Sequence, residues 1–279
     1  MEPVLKWAGG KRQIIRKICE LIPDNLLEGH TLYEPFVGGG SVFLALEHKK
    51  VVINDLNEEL INVYEQIRDD PEKLLLLLKR HSTLHNKRYY YEIRDMDREP
   101  SRFAKLSALE RAARTIYLNR TCFNGLYRVN GDGEFNVPIG SYTSPNIIRE
   151  EQIRLISKYL STANVAMRCG DFSTAVLDAK AGDVVYFDPP YDYDDDYKEG
   201  FSRYNANHFL HKDLIRLRDV MVGLIERGCY VFMSNNDTSF VNSIFDERFK
   251  FVRFLGRRMI NNTSDKRSGV NEVIVIGKP

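Results

Sequence analysis

The sequence has little of several features that would assign a protein to a class at once. Its four cysteines lie far apart without paired spacing, which excludes a disulfide framework and a cysteine-based zinc site and indicates free thiols. No apolar run approaches the length of a membrane span, and the first residues show no secretory pattern. The formal net charge is only +1, so bulk electrostatics indicate no nucleic-acid partner. We therefore expect a cytoplasmic globular protein without a membrane partner.

Short runs rich in β-branched residues alternate with segments of helical period along most of the chain. Seven runs are typical of strands, at residues 31–36, 51–54, 165–169, 184–187, 230–234, 249–255 and 272–276. Alternating strands and helices predict a Rossmann-like α/β fold, with a mostly parallel sheet covered by helices on both faces. Between residues 55 and 165 the alternation stops, and helical segments predict a largely helical insertion.

The tetrapeptide Asp188-Pro189-Pro190-Tyr191 follows directly after the apolar run 184–187. It presents a carboxylate, a prolyl carbonyl and an aromatic ring together at the end of a buried strand. This combination suits a site that holds the exocyclic amine of a flat heterocycle. An isolated Asp-Pro at a strand end is more often a plain turn, because proline cannot continue a central strand. The second proline and the tyrosine favour a site.

A glycine-rich loop at residues 37–41 ends the first strand and leads into a helix. Glycines allow a sharp turn and the close approach of a ligand, although three in a row also suit a merely tight loop. No basic residue stands beside them, which favours a nucleoside without phosphates, such as S-adenosylmethionine. Asp55 ends the next strand, where it can accept hydrogen bonds from ribose hydroxyls or cap the following helix, a role open to Asn57 as well.

The segment before the first helix supplies further candidates for a cofactor site. Lys11 can meet a carboxylate at a helix N-terminus. Trp7 is the only tryptophan of the chain, and a buried core anchor is the alternative for it. A cluster of arginines at positions 111, 114, 120 and 128 indicates either a nucleic-acid contact or a solvated face.

Five short motifs occur in a fixed order along the chain. They are Lys6-Trp7-Ala8-Gly9-Gly10-Lys11, Glu34-Pro35-Phe36-Val37-Gly38-Gly39-Gly40, Asn124-Gly125-Leu126-Tyr127-Arg128, Glu134-Phe135-Asn136-Val137-Pro138 and Asp188-Pro189-Pro190-Tyr191. Over almost its whole length the chain resembles the Dam family of DNA adenine-N6 methyltransferases, and the motif order resembles the alpha class of amino-methyltransferases. The resemblance implies S-adenosylmethionine as cofactor, double-stranded DNA as partner and a seven-stranded mixed sheet with a reversed last strand.

The resemblance also implies a division of the chain and a set of site residues. Residues 1–56 and 166–279 would form the catalytic domain, and residues 57–165 an inserted target-recognition domain, mostly helical with a β-hairpin. The catalytic residues would be Asp188, Pro189 and Tyr191. The cofactor-contacting residues would be Trp7, Lys11, Glu34, Pro35, Phe36, Gly38, Gly40, Ser41, Asp55, Asp171, Phe172 and Asp188. No metal is expected.

The turn-rich stretch after residue 119 predicts a β-hairpin that enters the major groove. Arginine bonded to guanine is the commonest specific base contact, and Arg128 would lie near a base edge. Family resemblance implies a set of DNA-binding residues: Lys6, Arg120, Asn124, Leu126, Arg128, Pro138 and Tyr142. Of these, Lys6 and Tyr142 would read the outer guanine. A GATC target, or a site containing GAT, is the first expectation. Ser141 departs from the family pattern, because many relatives have a basic residue there, and this leaves the outer bases open.

Some alternatives remain open. The scaffold could methylate RNA or another amine or amide, or the chain could be a DNA-binding relative without activity. A restriction endonuclease that acts on the same site is a possible partner. Residues 192–204 either close over DNA or form an ordinary surface loop, while Asp237 is expected to cap the helix after the fifth strand. His81 and His85 are expected to be solvated surface residues.

Overall fold

The strands of the described residues form a single seven-stranded sheet. In chain order they are β1 (Leu32–Glu34), β2 (Lys50–Asp55), β3 (Asn164–Cys169), β4 (Val184–Phe187), β5 (Tyr230–Asn236), β6 (Phe249–Leu255) and β7 (Asn271–Gly277). The order across the sheet is β3-β2-β1-β4-β5-β7-β6. β7 runs antiparallel to β5 and β6, and the other pairs are parallel. The predicted mixed sheet with a reversed last strand is confirmed.

The computed structural model describes residues 1–7, 14–193, 209–255 and 271–279. Its helices are α1 (Ile15–Leu21), α2 (Asp24–Leu27), α3 (Ser41–Leu46), α4 (Glu58–Asp69), α5 (Pro71–Leu84), α6 (Lys87–Arg94), α7 (Pro100–Phe103), α8 (Ala108–Thr121), α9 (Glu150–Thr162), α10 (His211–Glu226) and α11 (Ser239–Ile244). Successive strand residues such as Leu32 and Tyr33 enter separate apolar clusters, because strand side chains alternate between the two faces. Both faces of the sheet are therefore buried.

The helices α4 to α8 follow one another without an intervening strand, as the sequence predicts. α8 begins with a capping box, in which the Ser107 and Glu110 side chains each accept a hydrogen bond from the other's backbone N–H. Arg114, in the middle of α8, is buried, and its guanidinium lies 2.7 Å from the Asp97 carboxylate. Arg114 is therefore a structural residue of the insertion, neither a solvated cation nor a DNA contact.

The expectation of solvated histidines in α5 is wrong. His81 Nδ1 lies 2.8 Å from the Tyr89 hydroxyl, and His85 Nδ1 lies 2.9 Å from the Tyr117 hydroxyl. The His81 ring also stacks on Tyr117, and burial lowers the pKa of His81 to about 4. His81 therefore joins α5 to α6 and α8, and His85, just after α5, adds a second contact with α8.

The sheet order creates a crevice beside β1. β1 lies between β2 and β4, so the chain leaves β1 toward one side and later returns to β4 on the other. In α/β sheets, ligands bind outside the carboxyl ends of the strands at such a switch point. The glycine loop follows β1 and the Asp-Pro-Pro-Tyr tetrapeptide follows β4, so the topology places both at this crevice.

Candidate functional site

The glycine loop between β1 and α3 packs directly against the tryptophan of the N-terminal segment. Gly38 and Gly40 have φ angles of 48° and 77°, which side chains rarely adopt. A Cβ atom on Gly38 would lie 2.8 Å from the Trp7 ring, so only glycine permits this approach. Trp7 is partly buried here, which combines the two roles considered for it: it anchors the core and it borders the loop.

Asp55, at the end of β2, is held by two backbone groups. Its Oδ2 atom accepts a hydrogen bond from Gly38 N at 3.0 Å, and its Oδ1 atom accepts one from Asn57 N at 3.0 Å. Burial raises the pKa of this carboxyl, and the backbone bonds oppose that rise. Of the two candidates considered for the cap of α4, Asn57 fills the role, because its side chain accepts a hydrogen bond from Leu60 N.

Asn54 is a site residue that the sequence interpretation missed. Its buried Nδ2 group donates to Pro35 O and to Gly170 O, each at 2.9 Å. The loops after β1 and β3 are thereby tied to the end of β2. Pro35 and Asp171, both predicted site residues, are placed by this one amide. Its strand position gave no signal, because the two acceptors lie in loops far along the chain.

Glu34, the last residue of β1, carries a fully buried carboxyl group. One oxygen accepts a bond from Phe43 N in the first turn of α3, and Oε1 has no hydrogen-bond partner. Burial raises the pKa of Glu34 well above its ordinary value, and the nearby Asp188 carboxylate raises it further. Two acidic side chains from neighbouring strands therefore lie close together at the strand ends, and Glu34 is the one that favours the protonated form.

Asp188 and Pro189 extend the line of β4 beyond Phe187. Asp188 is partly exposed and Pro189 is buried. Burial raises the pKa of the Tyr191 phenol well above its ordinary value, and the Asp188 carboxylate contributes to that rise. Asp188 therefore lies near both Glu34 and Tyr191. Ser234 of β5 opposes that rise in pKa, which places the Tyr191 hydroxyl toward β5.

Asp192, the residue after the tetrapeptide, is anchored to the end of β5. Its backbone N–H donates to Asn235 Oδ1 at 2.8 Å, and its Oδ2 atom accepts from Thr238 Oγ1 at 2.6 Å. His211 Nε2, at the start of α10, lies 3.0 Å from Asp192 Oδ1. The polar residues after β5 therefore hold the tetrapeptide in place. Residues 194–204, the main part of the loop considered as a lid, lie outside the described residues.

Thr238 rather than Asp237 caps α11. The Thr238 hydroxyl accepts a hydrogen bond from Val241 N at 3.1 Å. Asp237 instead forms an ion pair with Arg253 of β6 at 2.9 Å. The predicted cap is wrong by one residue, because the strand continues to Asn236 and the cap position follows later than expected.

Asp171 and Phe172 follow β3 and lie beside Asp55. Gly170 N donates to Asp55 O at 3.1 Å, which fixes this proximity. Phe172 is buried and stacks on Phe36, with ring centroids 5.3 Å apart. Hydrogen bonds from the Arg216 guanidinium, then from Ser173, lower the pKa of Asp171 to about 2. Arg216 lies on α10, and the sequence interpretation did not identify it.

The N-terminal segment is joined to the hairpin region by Asn119 of α8. Lys6 N donates to Asn119 Oδ1 at 2.8 Å, while Asn119 Nδ2 donates to Lys6 O at 2.7 Å and to Gly125 O at 3.1 Å. Lys6 Nζ donates to the Tyr142 hydroxyl at 3.0 Å, so the two residues predicted to read the outer guanine are in contact. Asn119 is a second residue that the sequence interpretation missed.

The predicted β-hairpin is present. Antiparallel bridges join Cys122 to Ile139 and Val129 to Phe135. Arg128 lies between them, and its Nε group donates to Asn136 Oδ1 at 2.6 Å, so the opposite strand orients its guanidinium. Three other predicted DNA-binding residues also lie on the hairpin: Asn124, Leu126 and Pro138. Asn124 is exposed and has a positive φ of 54°. Arg120 lies at its base, where its Nε group donates to Asn146 O at 2.8 Å.

The structure therefore brings most of the predicted residues into two adjoining groups. The first group lies around the carboxyl ends of β1 to β4: Trp7, Glu34, Pro35, Phe36, Gly38, Gly40, Ser41, Asp55, Asp171, Phe172, Asp188, Pro189 and Tyr191. The second group surrounds the hairpin: Lys6, Arg120, Asn124, Leu126, Arg128, Pro138 and Tyr142. Lys11 lies outside the described residues.

Comparison with known proteins assigns the family. The family model for the D12 class of N6 adenine-specific DNA methyltransferases matches residues 7–260. The chain belongs to this class. A Type II methyltransferase of Lactococcus lactis subsp. cremoris, M1.LlaDCHI, is 40% identical over 99% of this chain and 95% of its own. The DNA adenine methylase of Escherichia coli K12 is 31% identical, with the same shares covered.

A solved structure, TrmN from Thermus thermophilus, aligns with 92% of this chain and 48% of its own at 12% identity. Its TM-score is 0.37, and nothing about function follows from so distant a likeness. The predicted enzyme class, an adenine-specific DNA methyltransferase, is confirmed by the family. None of the helices in the described part of this methyltransferase combines the length and the apolar character needed to span a bilayer.

Proposed function

We propose that this methyltransferase moves a methyl group from S-adenosylmethionine to N6 of an adenine flipped out of duplex DNA, within GATC or another GAT-containing site. One observation carries the proposal. Asp188 at the end of β4 lies near Glu34 at the end of β1, so the tetrapeptide adjoins the glycine loop at the switch point of the sheet. A base and a nucleoside cofactor can meet there.

The residues of the crevice suit the cofactor. Asp55 presents a carboxylate anchored by the glycine loop, where it can accept hydrogen bonds from ribose hydroxyls. Leu56, the next residue, is 61% exposed and offers an apolar wall for a purine. The buried Oε1 atom of Glu34 has no hydrogen-bond partner, so a polar group of the cofactor would satisfy it. Lys11 remains a proposed partner for the cofactor carboxylate.

The cofactor supplies an electrophilic methyl group on a sulfonium centre, and the chain's own residues prepare the amine. The N6 lone pair of adenine is delocalised into the ring and is a poor nucleophile. Asp188 and the Pro189 carbonyl would each accept one N6–H bond. These bonds strengthen as the nitrogen becomes tetrahedral and positive, so they stabilise the transition state more than the ground state. Tyr191 would stack on the base.

Glu34 supports this role of Asp188 electrostatically. Two ionised carboxylates in one buried crevice repel each other, and Glu34 is the fully buried member of the pair. A protonated Glu34 leaves Asp188 as the acceptor that faces the amine. Positioning of the amine against the methyl group can supply about 7–11 kcal/mol of the barrier lowering.

The hairpin supports duplex DNA as the substrate. Arg128 is held by Asn136 in a fixed orientation, as a residue that reads guanine by two hydrogen bonds requires. Lys6 and Tyr142 would read the outer guanine. The target base cannot be reached inside a duplex, so flipping it out would cost a few kcal/mol. The inserted residues 57–165 would act as the target-recognition domain beside the catalytic residues 1–56 and 166–279.

Two measurements test the proposal. Methylation of a library with randomised sites, followed by mapping of the modified base, should return N6-methyladenine within one shared motif. Asp188→Ala should leave DNA binding within about twofold and abolish methyl transfer, because the amine loses its charged acceptor. Uniform modification without a motif would contradict the specificity. Substantial single-turnover methylation by Asp188→Ala would contradict the assigned chemistry.

The alternatives give different results in the same assays. Competition by RNA better than by duplex DNA would favour a methyltransferase that acts on RNA, and the absence of any transfer would favour an inactive DNA-binding relative. A restriction endonuclease that cuts the same site is proposed as a functional partner, and the name Type II methyltransferase given to the Lactococcus lactis relative supports it. Protection of DNA from such an enzyme after methylation tests that partnership.

A further inference from the structure

Arg216 of α10 forms a two-bond ion pair with Asp171 at the rim of the crevice. Its Nη1 group donates to Asp171 Oδ1 at 2.9 Å, and its Nη2 group donates to Asp171 Oδ2 at 2.8 Å. The same guanidinium lies over the ring of Phe172, 4.3 Å from its centroid. A planar guanidinium is therefore fixed by a carboxylate and by an aromatic face at once, which fixes the carboxylate in turn.

The position of Asp171 relates it to the base of a bound nucleoside. Gly170, the preceding residue, is bonded to Asp55 O and to the Asn54 amide, so Asp171 lies next to the proposed sugar-binding carboxylate. Phe172 stacks on Phe36, and these rings form an apolar floor beside Asp171. A purine attached to a ribose at Asp55 would thus present an edge to Asp171.

The hydrogen-bond partners of Asp171 determine which kind of group a purine must present to its carboxylate. Oδ1 accepts from Ser173 N at 2.9 Å and from Ser173 Oγ at 2.6 Å, in addition to Arg216. Within the described part of the chain, Oδ2 accepts a hydrogen bond from Arg216 alone, so it retains a lone pair for a further donor. An ionised carboxylate accepts hydrogen bonds and cannot donate them. It therefore matches the exocyclic amine of adenine and opposes the carbonyl of a 6-oxopurine.

We propose that Arg216 is a positioning residue that sets the selectivity of the cofactor site for a 6-aminopurine, by holding Asp171 ionised and aimed at the purine edge. The inference rests on the proposed use of S-adenosylmethionine. It adds a residue of α10 to a site that is otherwise built from the strand ends.

Binding of two ligands that differ only at the purine 6-position tests the inference. The ligands are S-adenosylhomocysteine and its deaminated counterpart S-inosylhomocysteine. Their binding is measured by calorimetry and by the fluorescence of Trp7, which borders the glycine loop. The wild type should prefer the amino ligand by about tenfold or more, because a matched hydrogen bond is replaced by two facing acceptors. Arg216→Gln should lose most of this preference by weakening the amino ligand, and should raise KM for S-adenosylmethionine with kcat little changed.

Matched variants separate positioning from general stability. Arg248 forms a similar exposed pair with Asp246 just before β6, which is the edge strand at the opposite end of the sheet from β3. Because this pair is remote from Asp171, Arg248→Gln should bind both ligands like the wild type. Arg216→Lys keeps the charge without the planar fork and should retain part of the preference. On an Asp171→Asn background, Arg216→Gln should add no further loss of selectivity.

The contrary outcomes are distinct. An Arg216→Gln variant that binds the amino ligand as tightly as the wild type, or more tightly, overturns the inference, as does an equal loss for both ligands. In those cases the wild type still binds S-adenosylhomocysteine, and the proposed cofactor stands. A wild type that binds neither ligand overturns the proposed cofactor and this inference with it.

Discussion

Trp7 stacks on Tyr127, with ring centroids 5.4 Å apart and planes inclined by 25°. Trp7 also packs against Gly38 and Gly39, while Asn57 at the start of α4 lies near the Tyr127 hydroxyl and partly opposes the rise that burial causes in its pKa. One aromatic pair therefore joins the glycine loop to the hairpin that carries Arg128. The residues around the glycine loop and those of the hairpin are thus in direct contact.

Replacement of Tyr127 by leucine should weaken the binding of cofactor and of DNA together. The expected loss is about 2- to 10-fold for each, because a stacked aromatic pair contributes about 0.5–1.5 kcal/mol beyond its burial. Titrations with S-adenosylhomocysteine and with a duplex oligonucleotide measure both. Tyr127→Phe keeps the ring and should show a smaller effect. A loss confined to DNA would show that the contact serves the hairpin alone.

Gly40 of the glycine loop can be compared with Gly29, a glycine after α2 that has nearly the same φ angle. Gly40 and Gly29 have φ angles of 77° and 79°, but a Cβ on Gly40 would lie 2.4 Å from the Phe43 ring, whereas a Cβ on Gly29 meets nothing within 4 Å. Gly29→Ala should cost about 1–2 kcal/mol of unfolding free energy from the backbone alone. Gly40→Ala should cost about 1–3 kcal/mol more from overpacking. Urea unfolding measures both; equal losses would refute the packing explanation.

Glu34 should make the stability of the protein fall as pH rises. Its pKa in the folded state is raised well above the ordinary 4.5, first by burial and then by Asp188. The folded protein therefore keeps a proton that the unfolded chain releases, so the free energy of unfolding declines above the unfolded pKa.

Glu34→Gln keeps an acceptor for Phe43 N and removes the titration. Its stability relative to the wild type should therefore increase between about pH 5 and about pH 8. Urea midpoints of the two proteins across this range measure the difference. A difference that stays constant with pH would mean that Glu34 is already ionised in the folded state.

Arg114→Leu should strongly destabilise the insertion. The substitution leaves the largely buried Asp97 carboxylate with Phe135 N as a donor but without its cationic partner, and breaking a buried pair in this way costs about 3–5 kcal/mol. Arg88→Leu is the matched control, because Arg88 forms an exposed pair with Glu92 within α6 and should cost less than about 0.5 kcal/mol. Thermal unfolding compares them, and similar melting temperatures for both variants would contradict a structural role of Arg114.

Much of the fold could be predicted because strand signals are local. All seven strands fall on the predicted apolar runs, since alternation and β-branched composition report burial within a few residues. The position of the acidic residues at the strand ends was also readable, because Asp55 is the last residue of β2 and Asp188 comes directly after β4. The errors concern residues whose partners belong to another secondary-structure element. Asp237 pairs with Arg253 of β6, and His81 hydrogen-bonds with Tyr89 of α6. Neither contact leaves a pattern in the neighbouring sequence.

By itself the amino-acid order determined which side chains stand at the strand ends, and with them the sheet and the enzyme class. Only the folded arrangement decided which residues support them. Asn54 reaches Gly170, Asn119 reaches Lys6 and Arg216 reaches Asp171, across 116, 113 and 45 positions of the chain. The physical reason is that a hydrogen bond forms between groups about 3 Å apart in space, whatever their separation along the backbone. The order of strands across the sheet sets those distances.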